Sequence, residues 1–180
     1  MPLFLLLLIL FGVALLIPTA YAGFIGAPYA PTRQPAINKA FKLIGLGQDD
    51  FVIDLGAGDG KVLLSANSVG AKAVGYELSP IMWFVSWLRV VKNNETIKIR
   101  LRNFYKQKLP PETTVVFAFL MPDNMPRLKT YLAKQNLPRA KYLLSYVFPF
   151  KDVAPEQIVR TPKSGAVYIY DLKDLVASSK

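Results

Sequence analysis

The chain contains neither cysteine nor histidine. A disulfide framework, a thiol nucleophile, a histidine base and a Cys/His metal site are therefore all excluded. Its chemistry must run on carboxylates, amides, hydroxyls, lysines or a bound cofactor. Charge is missing as well from Met1 to Thr32, so the whole formal charge of +10 lies on residues 33–180. No internal repeat or low-complexity tract is present, and 180 residues leave room for one domain with a sizeable core plus an appendage. The basic excess suits a nucleic acid or an anionic membrane surface, and it serves solubility equally well.

The appendage is apolar. Leu3 to Ile17 is almost wholly aliphatic, and the run to Ile25 has about the ~20 residues that span a bilayer, with Pro18 expected to kink or end the helix. "AYA" at Ala20 to Ala22 has the form of a signal-peptidase site. Yet only Met1 and Pro2 precede the run, whereas Arg33, Lys39 and Lys42 follow it, which favours an uncleaved single-pass anchor with the domain on the cytoplasmic side. The expected organisation is an anchor over 1–25, a proline-rich linker over 26–36 ("GAPYAPTRQP" at its centre) and one domain over 37–175.

Within the domain the periodicity alternates. Ala36 to Leu46 has helical spacing and stops at Gly45 and Gly47; "FVIDL" reads as a buried strand and "KVLLSANSV" as a helix. "KAVGYEL" is a strand, and "SPIMWFVSWLRVVKN" a helix with Ser79 as N-cap and Pro80 at its first position. "TIKIRLRNF" and "TVVFAFL" (strands), "NMPRLKTYLAKQN" (helix), "KYLLSYVF" (strand) and the pair "EQIVRTP" and "GAVYIYDL" complete the chain. The expected fold is α/β: a Rossmann-like, mostly parallel sheet of about seven strands, closed by an antiparallel hairpin and covered by helices on both faces.

The turn after the first strand, "DLGAGDG", decides the ligand. In an open α/β sheet this turn floors the crevice. The dinucleotide fingerprint fails, because its third glycine would fall on Lys61 or Leu63, and a P-loop fails at Leu55 and Val62. A pyrophosphate would also meet Asp54 and Asp59 as like charges. S-adenosylmethionine, with an ammonium, a sulfonium and two ribose hydroxyls, suits them. Glu77, ending the second strand, follows Gly58 at close to the ~20-residue offset at which a Rossmann-type acid grips ribose.

"APYAPT", "VIDLGAGDGKV", "AVGYELSP" and a terminal "VYIYDL", behind one hydrophobic segment, resemble the seven-strand lysine methyltransferases of mitochondrial inner-membrane proteins. These are the adenine nucleotide translocase and ATP synthase c-subunit lysine methyltransferases and their prokaryotic relatives. The resemblance covers roughly residues 24–171. It implies that Asp54, Gly56, Ala57, Gly58, Asp59 and Gly60 line the amino-acid end of S-adenosylmethionine and that Glu77 and Leu78 hold its ribose. It also implies that Pro28, Tyr29, Pro31 and Thr32 belong to a flap over the methionine end. Where the family has an acidic residue followed by Leu-Trp, this chain has Asn103, Phe104 and Tyr105. The Asn103 amide is then expected to meet adenine's amino group, beside Phe104, with weakened affinity.

Methyl transfer to an amine needs alignment and a dry pocket more than a strong acid or base. Aromatic walls also suit a methylammonium product. Tyr29, Phe148 and Phe150 are candidate walls, and Trp83 and Trp87, four apart on one helical face, fit either walls or core. Asp123 and Asn124, leaving the fourth strand in "MPDNM", are candidates to orient the acceptor nitrogen, Asn124 being equally suited to cap the next helix. The expected function is a membrane-anchored, S-adenosylmethionine-dependent protein lysine methyltransferase acting on a membrane or membrane-associated protein. An RNA methyltransferase using Lys98, Arg100 and Arg102, and a non-catalytic cofactor-binding module, are the alternatives.

Overall fold

A computed structural model describes residues 2–25 (22–25 as backbone only), 32–93, 95–162 and 164–178. Helix α1 (Leu3–Ile25) is followed by α2 (Gln34–Leu43), β1 (Phe51–Leu55), α3 (Lys61–Asn67), β2 (Lys72–Glu77) and α4 (Pro80–Val90). Then come β3 (Ile97–Leu101), β4 (Val115–Ala118), α5 (Met125–Ala133), β5 (Tyr142–Tyr146), β6 (Gln157–Val159), β7 (Val167–Asp171) and α6 (Leu172–Ala177). Three single-turn 3-10 helices punctuate this order at Val91–Asn93, Phe104–Lys106 and Pro122–Asn124.

One seven-stranded sheet runs β3-β2-β1-β4-β5-β7-β6. β7 is antiparallel to both of its neighbours, and the other described pairings are parallel. The expected seven-strand α/β sheet with a closing hairpin is therefore the observed one. Strand alternation divides the core between the two faces of the sheet. Val52, Val115 and Phe117 meet Ile37, Phe41 and Leu63 on the side of α2 and α3, while Ile53, Val116 and Leu143 meet Leu128, Leu132 and Leu175 on the side of α5 and α6. Ile37 and Phe41 are fully buried, and each such side chain contributes about 1.5–3 kcal/mol. Buried Lys129 on α5 is held by the Asp152 carboxylate and donates to the Ser178 carbonyl at 3.1 Å, which latches α5 to the C-terminal helix.

Local expectations are met at α4, where the Ser79 hydroxyl accepts from the Met82 N–H at 3.2 Å and Pro80 opens the helix. Three details differ. The helix α1 does not end at Pro18: it runs on to Ile25, with Thr19 Oγ1 donating to the Leu15 carbonyl at 2.8 Å. Hydroxyls of this kind compensate backbone groups around an intrahelical proline. Helix α2 starts at Gln34, inside the segment read as linker. The third is α6, capped by Asp171, whose Oδ1 accepts from Lys173 N and Asp174 N.

Candidate active site

The parallel strands bring the ends of β1, β2, β4 and β5 to one edge, and the order reverses direction between β1 and β4, where ligands of open α/β sheets bind. Asp54 sits there on β1, in register with Gly75 of β2 and Phe117 of β4. It is 2% exposed, and among the described residues its Oδ2 has no hydrogen-bond partner. Burial raises the Asp54 carboxyl well above the usual carboxylate range, and the nearby charges of Glu77 and Asp59 add to the rise. A buried carboxylate oxygen without a donor is a site waiting for a cation or a proton.

The turn beyond it is built for close backbone approach. Gly56 N and Ala57 N both donate to the Tyr76 carbonyl at 2.9 Å, and Gly56, Gly58 and Gly60 all have positive φ. A Cβ at Gly60 would meet Ser86 Oγ at 2.5 Å, so that glycine lets α4 approach; one at Gly56 would meet nothing within 4 Å and would point into open space. Glu77 closes the turn from β2: its Oε2 accepts from Gly58 N at 2.8 Å, and its Oε1 accepts from Leu78 N at 2.8 Å and Ser79 N at 2.7 Å. These three donors fix the carboxylate and leave acceptor capacity for a hydroxyl. Asp59 has partners of its own within the protein. Its carboxylate is paired with Arg89 of α4 and, at 2.9 Å, with Lys61, so its charge is offset within the protein and ties the turn to α4.

Other candidates divide between the two sheet faces. Asn103 Oδ1 accepts from Tyr105 N at 3.0 Å, capping the 3-10 turn after β3, and Phe104 is buried beside Tyr105 and Tyr131 on the α5 side. Asp123 is exposed and Asn124 half-buried in the 3-10 turn after β4; Asn124 makes no side-chain cap to α5. Phe148 lies half-buried with its ring 6.3 Å from Phe119, whose ring stands edge-on to Tyr146 at 5.0 Å. Phe150 is not beside Phe148. The chain turns at Val147 (φ 71°), with Phe148 N donating to the Tyr146 carbonyl at 2.9 Å, and this sends Phe150 into the opposite core against Tyr170. Trp83 packs on β3, its Nε1 donating to Ile99 O at 3.4 Å, whereas Trp87 is exposed and belongs to no core. Tyr29 and Pro31, like Pro28, lie outside the described residues; Thr32 is half-buried.

Sequence reading missed Tyr146 and Phe119. The Tyr146 hydroxyl accepts from Arg33 N at 3.4 Å and Gly165 N at 3.2 Å and lies 3.3 Å from Ser164 Oγ. It thereby ties the segment entering the domain to the β6–β7 connection at the end of β5. The contact between Arg33 and Tyr146 is remote in sequence, and no local pattern announces it. An open groove lined by Asp49, Asp50, Arg139, Lys141 and Lys173 lies at the other end of the strands, away from the glycine turn.

Residues 54–157 match the ANTKMT methyltransferase domain. The protein-lysine N-methyltransferase of Saccharolobus islandicus is 28% identical over 150 residues, covering 79% of this chain and 92% of that protein. The ATP synthase c-subunit lysine N-methyltransferase of Xenopus laevis is 29% identical over 149 residues, covering 81% of this chain; the chain spans 63% of that relative's length. Among solved structures, an RNA methyltransferase from Salinibacter ruber in complex with S-adenosyl-L-homocysteine shares the fold, with a TM-score of 0.71 and 24% identity over 79% of this chain and 94% of that one.

Proposed function

Because the chain belongs to the ANTKMT methyltransferase domain family, an S-adenosylmethionine-dependent fold, we propose that it methylates a lysine side chain of a protein held at a membrane. The observation that carries the cofactor's placement is Asp54 Oδ2, buried and without a donor among the described residues, at the mouth of a turn whose Gly56 opens into free space. The residues fit the group. Asp54 would take the cofactor's ammonium, the Gly56–Gly60 backbone its amino-acid portion, and Glu77, already fixed by three backbone N–H groups, a ribose hydroxyl. Asn103 Oδ1 accepts from Tyr105 N, so at the adenine end its amide nitrogen would donate to a ring nitrogen, while only the second lone pair of Oδ1 is left to accept from the amino group. When bound, the cofactor supplies an electrophilic methyl on a sulfonium.

The chain's own task is to present a neutral amine to that methyl in a water-poor space. Phe119, Tyr146 and Phe148 would wall the acceptor, and their faces favour a methylammonium product. Asp123, exposed after β4, would accept a hydrogen bond from the incoming ammonium, and Asn124 would help to orient it. The lysine would release its proton to the solvent around exposed Asp123 as it enters, a loss that burial against these rings favours. Thr32 and the segment before it, tied to Tyr146 through Arg33, would cover the methionine end.

The membrane part of the reading is supported by α1. Leu3–Tyr21 is long and apolar enough to cross a bilayer, and Thr19 Oγ1 accepts from the Ser79 hydroxyl at 3.2 Å, two residues beyond Glu77. An anchor attached so near the ribose carboxylate would keep the site at the bilayer surface and raise the effective concentration of a membrane-held substrate. The lysine methyltransferase names of the relatives from Saccharolobus islandicus and Xenopus laevis add support for a lysine acceptor. The test uses the full chain in detergent with methyl-labelled S-adenosylmethionine and a membrane extract of the host, beside an Asp54→Asn/Glu77→Ala variant whose folding is checked by thermal unfolding. A discrete labelled protein band, resistant to RNase and lost in the variant, is expected. Label recovered only in RNA overturns the lysine reading.

A further inference from the structure

Helix α4 carries an apolar face with nothing over it. Its Ser86 and Val90 are buried towards the sheet, whereas Ile81, Phe84 and Leu88, on the opposite side of the helix, and Trp87, on the flank beside Phe84, are 38%, 51%, 53% and 40% exposed. Phe84 and Trp87 stack on each other with ring centroids 5.9 Å apart, and Leu101 on the edge strand β3, against which α4 packs, is exposed as well. Single exposed hydrophobes are ordinary, but a contiguous run with two large aromatics marks an interaction surface. From Ser79 to Asn93 there is no acidic residue, and exposed Lys92 lies just beyond the stripe. Aromatic and aliphatic residues on one face, a basic residue at the margin and no acid are the features of a helix that lies in a lipid interface.

Position supplies the occupant. Helix α1 packs on α4, and its half-buried described residues are Gly12, Leu15, Pro18 and Thr19, three of them in its C-terminal half. From Leu3 to Thr19 a helix rises about 24 Å, so Thr19 lies near one boundary of a hydrocarbon core about 30 Å thick. Ser79, hydrogen-bonded to Thr19, places the start of α4 at that boundary. The exposed stripe therefore starts beside a helix suited to crossing the bilayer, at the depth where Trp side chains are most favourably held.

We infer that the Ile81–Phe84–Trp87–Leu88 face of α4 is a second membrane contact, seated at the headgroup–acyl boundary of the leaflet through which α1 emerges. This rests on the reading of α1 as an anchor. A lone transmembrane helix leaves a domain free to swivel about one attachment. A second contact along α4 fixes its rotation and holds the Glu77 end of the glycine turn towards the bilayer.

The absence of cysteine makes the test clean. Single thiols are placed in the full chain by Leu8→Cys on α1, Phe84→Cys on α4 and Val69→Cys after α3. All three positions are exposed, so the core is undisturbed. After nitroxide labelling and reconstitution in phosphatidylcholine–phosphatidylglycerol vesicles, collision with oxygen is compared with collision with a water-soluble nickel chelate. Oxygen should dominate at positions 8 and 84, and nickel at 69. Oxygen dominance at 8 with nickel dominance at 84 overturns the α4 contact and leaves the anchor standing. A label at 84 shielded from both reagents means a protein surface, such as a second copy, covers the face, which also overturns the inference. Nickel dominance at 8 removes the anchor reading and this one with it.

Discussion

Asp54 offers a sharp trade between stability and binding. Its folded carboxyl titrates well above the unfolded value of 3.8, chiefly through burial and then through Glu77 and Asp59. A raised acid makes deprotonation costlier in the folded chain. The penalty is therefore absent below about pH 3.8, grows as pH rises towards the folded value, and is constant beyond it. Asp54→Asn keeps the shape and removes both the charge and the repulsion. The amide is as short of partners as the carboxyl it replaces, so what the variant escapes is the cost of holding a charge there, and the cofactor-free variant should be more stable than the parent by about 1–3 kcal/mol at neutral pH. For a chain of this size that is a rise in Tm of about 2–12 °C. Scanning fluorimetry in detergent from pH 4 to 8 should show the gap closing towards the acid end. With S-adenosylmethionine at about 100 times its Kd the parent should regain about 2.7 kcal/mol, and the variant much less. Parent affinity should strengthen as pH rises, since the cation meets an ionised partner. A variant no more stable than the parent, with a gap flat in pH and an unchanged response to cofactor, would refute the role given to Asp54.

Other substitutions probe the supports of the site. Gly75→Ala would set a Cβ 2.6 Å from Ala57 Cβ and 2.8 Å from Leu63 Cδ1 beneath the glycine turn, so a loss of about 1–3 kcal/mol is expected in a urea melt; an unchanged midpoint would contradict this packing. Asp152→Ala leaves the buried Lys129 ammonium without its carboxylate and with only the Ser178 carbonyl, and should cost about 1–3 kcal/mol, whereas Lys129→Met, which leaves only an exposed carboxylate, should stay within about 1 kcal/mol; equal losses would overturn the asymmetry. Lys129 lowers the Asp152 carboxyl below 3.8, so its share of stability is present above that pH and is lost as pH falls through the lower folded value. Tyr146→Phe removes the hydroxyl that accepts from Arg33 and Gly165, which should cost about 1 kcal/mol and speed tryptic cleavage after Arg33. An unaltered cleavage rate would separate that hydroxyl from the entry segment.

Most of the architecture was legible because its cues are local. The strand "FVIDL", the Ser79–Pro80 start of α4 and the glycine turn each rest on residues a few places apart, and the structure has them where the pattern put them. Helix α6 was hidden because the alternation of "VYIYDL" runs into its cap, Asp171. Phe148 and Phe150 looked equivalent on paper, but the positive-φ turn at Val147 sends them to opposite faces. Trp87 fitted a core position by spacing and is instead exposed, since α4 is apolar on both sides and only one of them meets the sheet.

The sequence alone determined the α/β alternation, the uncharged N-terminal helix and a cofactor turn that prefers cationic groups to phosphate, because periodicity, glycine conformation and charge act over short stretches. Tertiary structure alone decided that Glu77 would clasp Gly58, that Arg89 and Lys61 would share Asp59, that Tyr146 would hold Arg33, and that Thr19 would meet Ser79. Those contacts join residues that only strand order and helix packing bring together, and no pairwise pattern along the chain encodes that order.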